Sequence, residues 1–317
     1  MTPPAEPGHI IALFTCMKRT RLFFFIALLT INCSLPTPVT AEVLYYLANF
    51  QTSEWTLSRS KIQCKLAHAI PGYGTATFFH SAGKDLSFQL VTYHPSERSE
   101  VAYLDAIPPS WNHRNFTRPV SSPTRMATHQ PFSLQRTETL RLLYELEKGL
   151  QPTFTQTDAA EGTEPLYVGL SAIRFRTAYR YFQDCIASLL PFGFDDINFS
   201  LVHFETAKEE LSEPAQKRLQ QIAEYSLADR KVKKIVVHGH ADWVGKETYN
   251  QTLSEKRSTE VVNYLIRQGI PKSMIQFESF GEKVPAETNR TEAGRQKNRR
   301  VKINVIRDDS ADSLQPR

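Results

Sequence analysis

Long apolar runs are scarce in this 317-residue chain. The run Leu22–Leu29 is far shorter than the ~20 residues a membrane-spanning helix needs, so an integral helical membrane protein is excluded. Charge of one sign is also missing. Lys and Arg number 38 against 33 Asp and Glu, and the two signs are mixed along the sequence. A nucleic-acid partner therefore gains no support. Internal repeats and low-complexity linkers are absent. Histidine is sparse, with nine residues in all, which leaves little material for a metal cluster. Cysteine is sparser still, with four.

The first segment explains part of the apolar content. Met17-Lys18-Arg19-Thr20-Arg21 is a positive stretch, the apolar run follows, and Val39-Thr40-Ala41 offers a small-x-small cleavage site. Residues 1–41 thus read as a leader and cleaved signal peptide, with Met17 the expected true start. The alternative is a membrane anchor, for which the run is short. Cys33 lacks the small residues before it that lipidation requires. Cleavage leaves Cys64 and Cys185, and an even pair in an exported chain reads as a disulfide. Two buried free thiols are the alternative.

The rest divides near Pro191-Phe192-Gly193 into residues 42–193 and 194–307, with a polar tail over 308–317. The first part is expected to be α+β, mainly β with two helices. Residues 76–80 and 86–93 alternate as half-buried strands do. Residues 137–148 form a helix stopped by Gly149, with Leu140, Leu143, Tyr144 and Leu146 on its apolar side. A strand over 166–175 precedes a helix over 176–190. The second part is expected to be an α/β two-layer domain of order βαβαββ. Its strands are 198–205, 233–241, 275–280 and 300–306. One helix runs from the Ser212 cap to about Arg230, with Leu219, Ile222, Ala223 and Leu227 inward. The other runs from about Thr252 to Gln268, where Gly269 and Pro271 stop it.

Within that second helix Leu253, Arg257, Val261 and Leu265 lie four apart on one face, so a guanidinium interrupts an apolar stripe. A cation aimed at a core must find a partner or cost several kcal/mol. Asp242 ends the preceding strand and can fold back toward it. One reading is a structural Asp242–Arg257 salt bridge. The other is a cleft for a zwitterion, the arginine gripping a carboxylate with its fork and the aspartate an ammonium. His238-Gly239-His240-Ala241-Asp242 also evokes a metal-dependent hydrolase, but Trp243 follows where a further histidine is needed. No metal or cofactor is expected, and His240 reads instead as a hydrogen-bonding wall of the cleft.

The ordered set Gly239-His240-Ala241-Asp242-x-x-Gly245, Asn250-x-x-Leu253-Ser254-x-x-Arg257, Gly281-x-x-x-Pro285 and Gly294-Arg295-x-x-Asn298-Arg299-Arg300 resembles the OmpA-like peptidoglycan-binding domain. Ala241 stands where that family usually has Thr, and Ser258 where Ala is common. The resemblance implies that Asp242 holds the ammonium and Arg257 the carboxylate of the diaminopimelate in a stem peptide. Asn250, Asn298, Arg299 and Arg300 would line the same cleft. In the first part, Ser53-Glu54-Trp55, Cys64-x-Leu66-x-His68-x-Ile70-Pro71, Pro108-Pro109-x-Trp111, residues 143–149 and Phe182-x-x-Cys185-Ile186-Ala187 resemble the N-terminal domain of the MotY family of flagellar-motor proteins. That resemblance implies a non-enzymatic tether in the periplasm, at the flagellar basal body and cell wall and peripheral to the outer membrane. Its partners would be peptidoglycan, the basal body, a MotX-like protein and stator proteins. Two alternatives stand beside it: a general OmpA-type outer-membrane and peptidoglycan-anchoring protein unrelated to the flagellum, its first half a small transmembrane barrel, and a wall-processing or metal-dependent hydrolase.

Overall fold

A computed structural model describes residues 44–94, 100–113, 115–126, 132–158 and 165–309. The expected leader and signal segment, and residues 310–317 of the expected tail, lie outside the described residues.

In the N-terminal half two sheets face each other. One contains β1 (Tyr45–Leu47), and the other begins with β2 (Trp55–Arg59), β3 (Gln63–Ile70), β4 (Gly74–Ser81) and β5 (Ser87–Thr92). β6 (Glu100–Ile107), β7 (Arg118–Pro119) and β8 (Thr124–Met126) return to the first sheet, and β9 (Phe132–Leu134) closes the second. Helix α1 (Arg136–Glu147), strands β10 (Gln151–Asp158) and β11 (Leu166–Gly169), and helix α2 (Phe175–Ala187) complete this half. The orders are β1-β11-β10-β6-β7, with β8 also on β6, and β2-β3-β4-β5-β9. The inward residues alternate, as a sheet with one buried face requires. Leu66, Ala76, Phe78, Phe88 and Leu90 of one sheet meet Ala102, Leu104, Ala106, Phe154 and Val168 of the other.

The Cys64–Cys185 disulfide is present and joins β3 to α2 across 121 residues. Trp55 stacks on His68 at 4.4 Å and meets Phe175 edge-on at 4.9 Å beneath it.

Several expectations need correction. The strand from Leu166 ends at Gly169, because Arg174 adopts a left-handed φ of 62° and turns the chain so that the buried Phe175 opens α2. In α1 the buried stripe is Thr139, Leu142, Leu143 and Leu146, while Leu140 and Tyr144 face out. Helical spacing admits either set, and the sheet beneath selects the first. Gly149, at φ 83°, stops α1 as expected.

The C-terminal half begins with a single-turn helix α3 (Phe194–Ile197), then β12 (Phe199–His203), α4 (Glu213–Ala228), β13 (Val232–Gly239), α5 (Glu247–Arg267), β14 (Ile275–Ser279), α6 (Glu292–Asn298) and β15 (Arg300–Arg307). The sheet order is β12-β15-β13-β14, with β13 and β14 parallel and β15 antiparallel to both its neighbours. The helix-facing side carries Val202, Ile235, Val237, Val301, Ile303 and Val305 against Leu219, Ile222, Val261 and Leu265. Ser212 stands at the N-cap of α4, but its side chain accepts no capping bond, and Leu227 is exposed rather than inward. Helix α5 starts five residues earlier than the apolar period indicates, because Glu247–Gln251 is a polar first turn.

The two halves abut without a spacer. Ile62 of the first half packs against the core of the second, and Lys84 Nζ lies 3.6 Å from an Asp195 carboxylate oxygen. A Cβ on Gly83 would lie 2.5 Å from Gly193 N, so neither residue tolerates a side chain there.

Candidate ligand cleft

The candidate site lies where β13 runs into α5. Gly239 faces α5, and a Cβ there would come within 2.1 Å of Ser258 Oγ and 2.4 Å of the Ser254 carbonyl. Its missing side chain lets the helix sit against the strand. Ser258 Oγ donates to the Ser254 carbonyl at 3.1 Å, and Ser254 Oγ accepts from Gly281 N–H at 3.0 Å. The Gly281 carbonyl in turn accepts from Ala241 N–H at 2.8 Å, which fixes the chain leading to Asp242.

Arg257 is fully buried. Its guanidinium donates to three main-chain carbonyls: Lys208 at 2.9 Å, Glu205 at 3.0 Å and His240 at 3.3 Å. It also lies 5.2 Å from the centre of the Phe204 ring. Burial pulls its pKa down to about 10, against the field of Asp242. The expected alternative of an Asp242–Arg257 salt bridge is not what forms. Asp242 Oδ2 accepts from Arg299 Nη1 at 2.9 Å, and Oδ1 accepts from Val244 N–H at 3.1 Å. Arg299 also donates to Glu292 at 2.7 Å and to Gln296. Burial opposes the charge of Arg299, but these hydrogen bonds to Asp242 and Glu292 outweigh it, and its pKa is raised. Arg299 therefore holds two carboxylates, while every hydrogen bond of Arg257 among the described residues goes to a neutral carbonyl.

The remaining expected residues divide. Asn250 is buried and donates to Glu282 at 2.5 Å. Asn298 is fully buried and pins the loop before α6. Its Oδ1 accepts from Ala286 and Glu287 N–H at 2.7 and 3.0 Å, and its Nδ2 donates to the Glu287 carbonyl and Asn289 Oδ1, both at 2.8 Å. That uses its whole hydrogen-bonding capacity, so Asn298 shapes the loop. Arg300 is buried and donates to the Val284 carbonyl at 3.2 Å, its pKa lowered by burial. His240 stacks on Phe280 at 5.3 Å, and His238 meets the same ring edge-on at 5.2 Å. Burial, then the charge of Arg300, pushes the His240 pKa down to about 4, so its imidazole is neutral near pH 7. No cluster of three or more histidine, cysteine or acidic residues suited to a metal exists among the described residues.

Sequence reasoning passed over Glu292, Gln296, Glu282 and Phe204. Glu292 lies seven residues, two helical turns, before Arg299. That spacing was the available signal, but it needs α6 to be recognised as a helix.

A profile of the MotY N-terminal domain matches residues 46–191, and one of the OmpA family matches residues 203–299. The sodium-type flagellar protein MotY of Vibrio parahaemolyticus is 32% identical over 270 residues, spanning 83% of this chain and 90% of that protein. This chain belongs to the MotY family. Its C-terminal half is an OmpA-like α/β domain. Outer membrane protein A of Bordetella avium is 35% identical over 103 residues, 32% of this chain and 53% of that protein. The outer-membrane lipoprotein YfiB of Pseudomonas aeruginosa is 34% identical over 143 residues, 45% of this chain and 82% of that protein. No helix among the described residues is long and apolar enough to cross a membrane.

Proposed function

We propose that this MotY-family chain is a non-enzymatic tether of the flagellar motor in the periplasm. The C-terminal cleft grips the diaminopimelate end of a peptidoglycan stem peptide. The N-terminal half, residues 42–193, meets the basal body, and a MotX-like protein and stator proteins are its further partners.

The observation that carries this reading is the charge balance around Arg257. A fully buried cation with only carbonyl partners is an incomplete ion pair. Asp242, the acid whose field acts most strongly on Arg257, is committed to Arg299. Arg257 is therefore left without a carboxylate of its own, and a ligand carboxylate supplies one. The ammonium of the same zwitterion pairs with Asp242, which uses only two of its roughly four acceptor positions. Asn250, His240, Arg299 and Arg300 then border the ligand, and Asn298 holds the loop that closes one side.

Cosedimentation of the full mature chain with purified sacculi tests this. Wild type pellets with the wall, and Asp242→Asn stays in the supernatant. Release of soluble fragments from the sacculi, or undiminished pelleting of Asp242→Asn, would contradict the reading.

A further inference from the structure

The outer face of the N-terminal sheet has no part in that cleft. It carries an aromatic row set by strand register. Tyr45 lies opposite Tyr167, Tyr167 opposite Thr155, and Thr155 opposite Tyr103, across four adjacent strands. All point away from the core, because Tyr46, Val168, Phe154 and Leu104 alternate with them and fill it. Tyr45 and Tyr103 are each 42% exposed, and the Tyr45 and Tyr167 rings are 6.1 Å apart. Two residues along, on the same face, Thr153 lies opposite Asp105 on one side and Gly169 on the other.

These residues enclose an open pocket of about 410 Å³ lined by Tyr45, Asp105, Ile107, Thr117, Thr153, Thr155 and Tyr167. Gly169 lies beside Tyr45 on the same face. A Cβ there would come within 3.0 Å of the Tyr45 hydroxyl, which hydrogen-bonds Gln151. The lining holds aromatic faces, threonine hydroxyls and one carboxylate, and no lysine or arginine. An acidic peptide, a phosphate or a nucleic acid finds no cation there. A neutral ring with apolar faces and equatorial hydroxyls finds a match in each component: the tyrosines for its faces, and Thr117, Thr155 and Asp105 for its hydroxyl and amide groups, Thr153 being buried with its hydroxyl on the Gln151 carbonyl.

We propose that this face is a saccharide-binding site whose ligand is a chain of N-acetylhexosamines. The site is distinct from the zwitterion cleft, which requires a stem peptide. Together they would let one chain hold the wall by its peptide and by its glycan.

The test is calorimetric titration of the full mature chain with N-acetylglucosamine tetramer and hexamer, which carry no peptide. The wild type and Arg257→Lys bind the hexamer alike. Tyr103→Ala and Tyr167→Ala each weaken binding by about 5- to 10-fold, the range expected for one lost aromatic stack. Thermal melts of both variants match wild type, since neither ring belongs to the core. Absence of hexamer binding in the wild type, or wild-type affinity in both tyrosine variants, overturns the site. So does a concentration-dependent dimer abolished by the same substitutions, which would assign the face to a second copy of the chain. Because the probe lacks diaminopimelate, failure here leaves the cleft reading untouched, and failure of the cleft reading leaves this one standing.

Discussion

Around Cys64 the N-terminal half closes its core with a covalent bond and a stack of rings. Around Arg257 the C-terminal half closes its own with a cation wrapped in carbonyls. Among the described residues, Glu145 is the one buried acid of the first half, and it pairs with Arg118 at 3.0 Å. The second half buries Asp229, Asp242, Arg257, Arg299 and Arg300. An apolar core offers a ligand nothing specific, so the first half must act through its surface. A polar interior costs stability unless every charge is paired. Arg257, fully buried with hydrogen bonds only to main-chain carbonyls, carries such a cost, which a ligand carboxylate would relieve under the proposed function.

The disulfide gives the largest break in this comparison. Closing a loop of this length is worth about 4–5 kcal/mol in the chain-entropy model. Reduction, or Cys185→Ala, should lower the melting transition of the N-terminal half by many degrees. Circular dichroism and tryptophan fluorescence should show the C-terminal transition shifted far less. A single transition moved as a whole would mean the halves unfold as one unit.

Next is Gly239→Ala. The added methyl would collide with Ser258 Oγ and the Ser254 carbonyl, separating α5 from β13. Overpacking of this kind costs about 1–3 kcal/mol. Only the C-terminal transition should fall, and sacculus binding should weaken with it. The double variant with Ser258→Gly should recover part of both; no recovery would place the strain elsewhere.

The smallest effect is on pH. Burial depresses the pKa of His68 in one half and, to about 4, that of His240 in the other. The unfolded chain protonates these rings near pH 6.5, and the folded chain only lower. Their neutral burial is therefore fully compatible with folding above about pH 6.5 and opposes it progressively as pH falls toward 4. Equilibrium unfolding between pH 7 and 4.5 should show declining stability, and His240→Gln should flatten the slope in the C-terminal half alone.

Much of this was legible in the sequence where local rules decide. Gly149 and Gly269 stop helices as expected, with φ of 83° and 98°, and the odd placement of Arg257 on an apolar stripe marked a buried guanidinium. What escaped was decided by distant partners. Nothing near Asp242 announces that its carboxylate goes to Arg299, 57 residues away. The pairing depends on α6, a seven-residue helix too short for a period to show. Leu140 and Tyr144 misled because a helix alone cannot say which of two adjacent apolar stripes a sheet will cover. Asn298 sits in a ligand-like motif, yet its four hydrogen bonds all hold the 286–289 loop.

The central claim is that Arg257 is a buried cation awaiting a carboxylate. It is tested most directly by titrating the intact mature chain with a diaminopimelate-containing muropeptide, in wild type, Arg257→Lys and Asp242→Asn, with melts in parallel. Arg257→Lys keeps the charge and loses the fork. The loss of a desolvated charge partner is worth about 2–5 kcal/mol, or about 30-fold to several thousand-fold in affinity. The account predicts saturable binding by wild type, a loss in that range for both variants, and a melting temperature of the wild-type C-terminal half that rises with ligand. Wild-type binding retained unchanged by a folded Arg257→Lys protein, or no rise in melting temperature at saturating muropeptide, would contradict it.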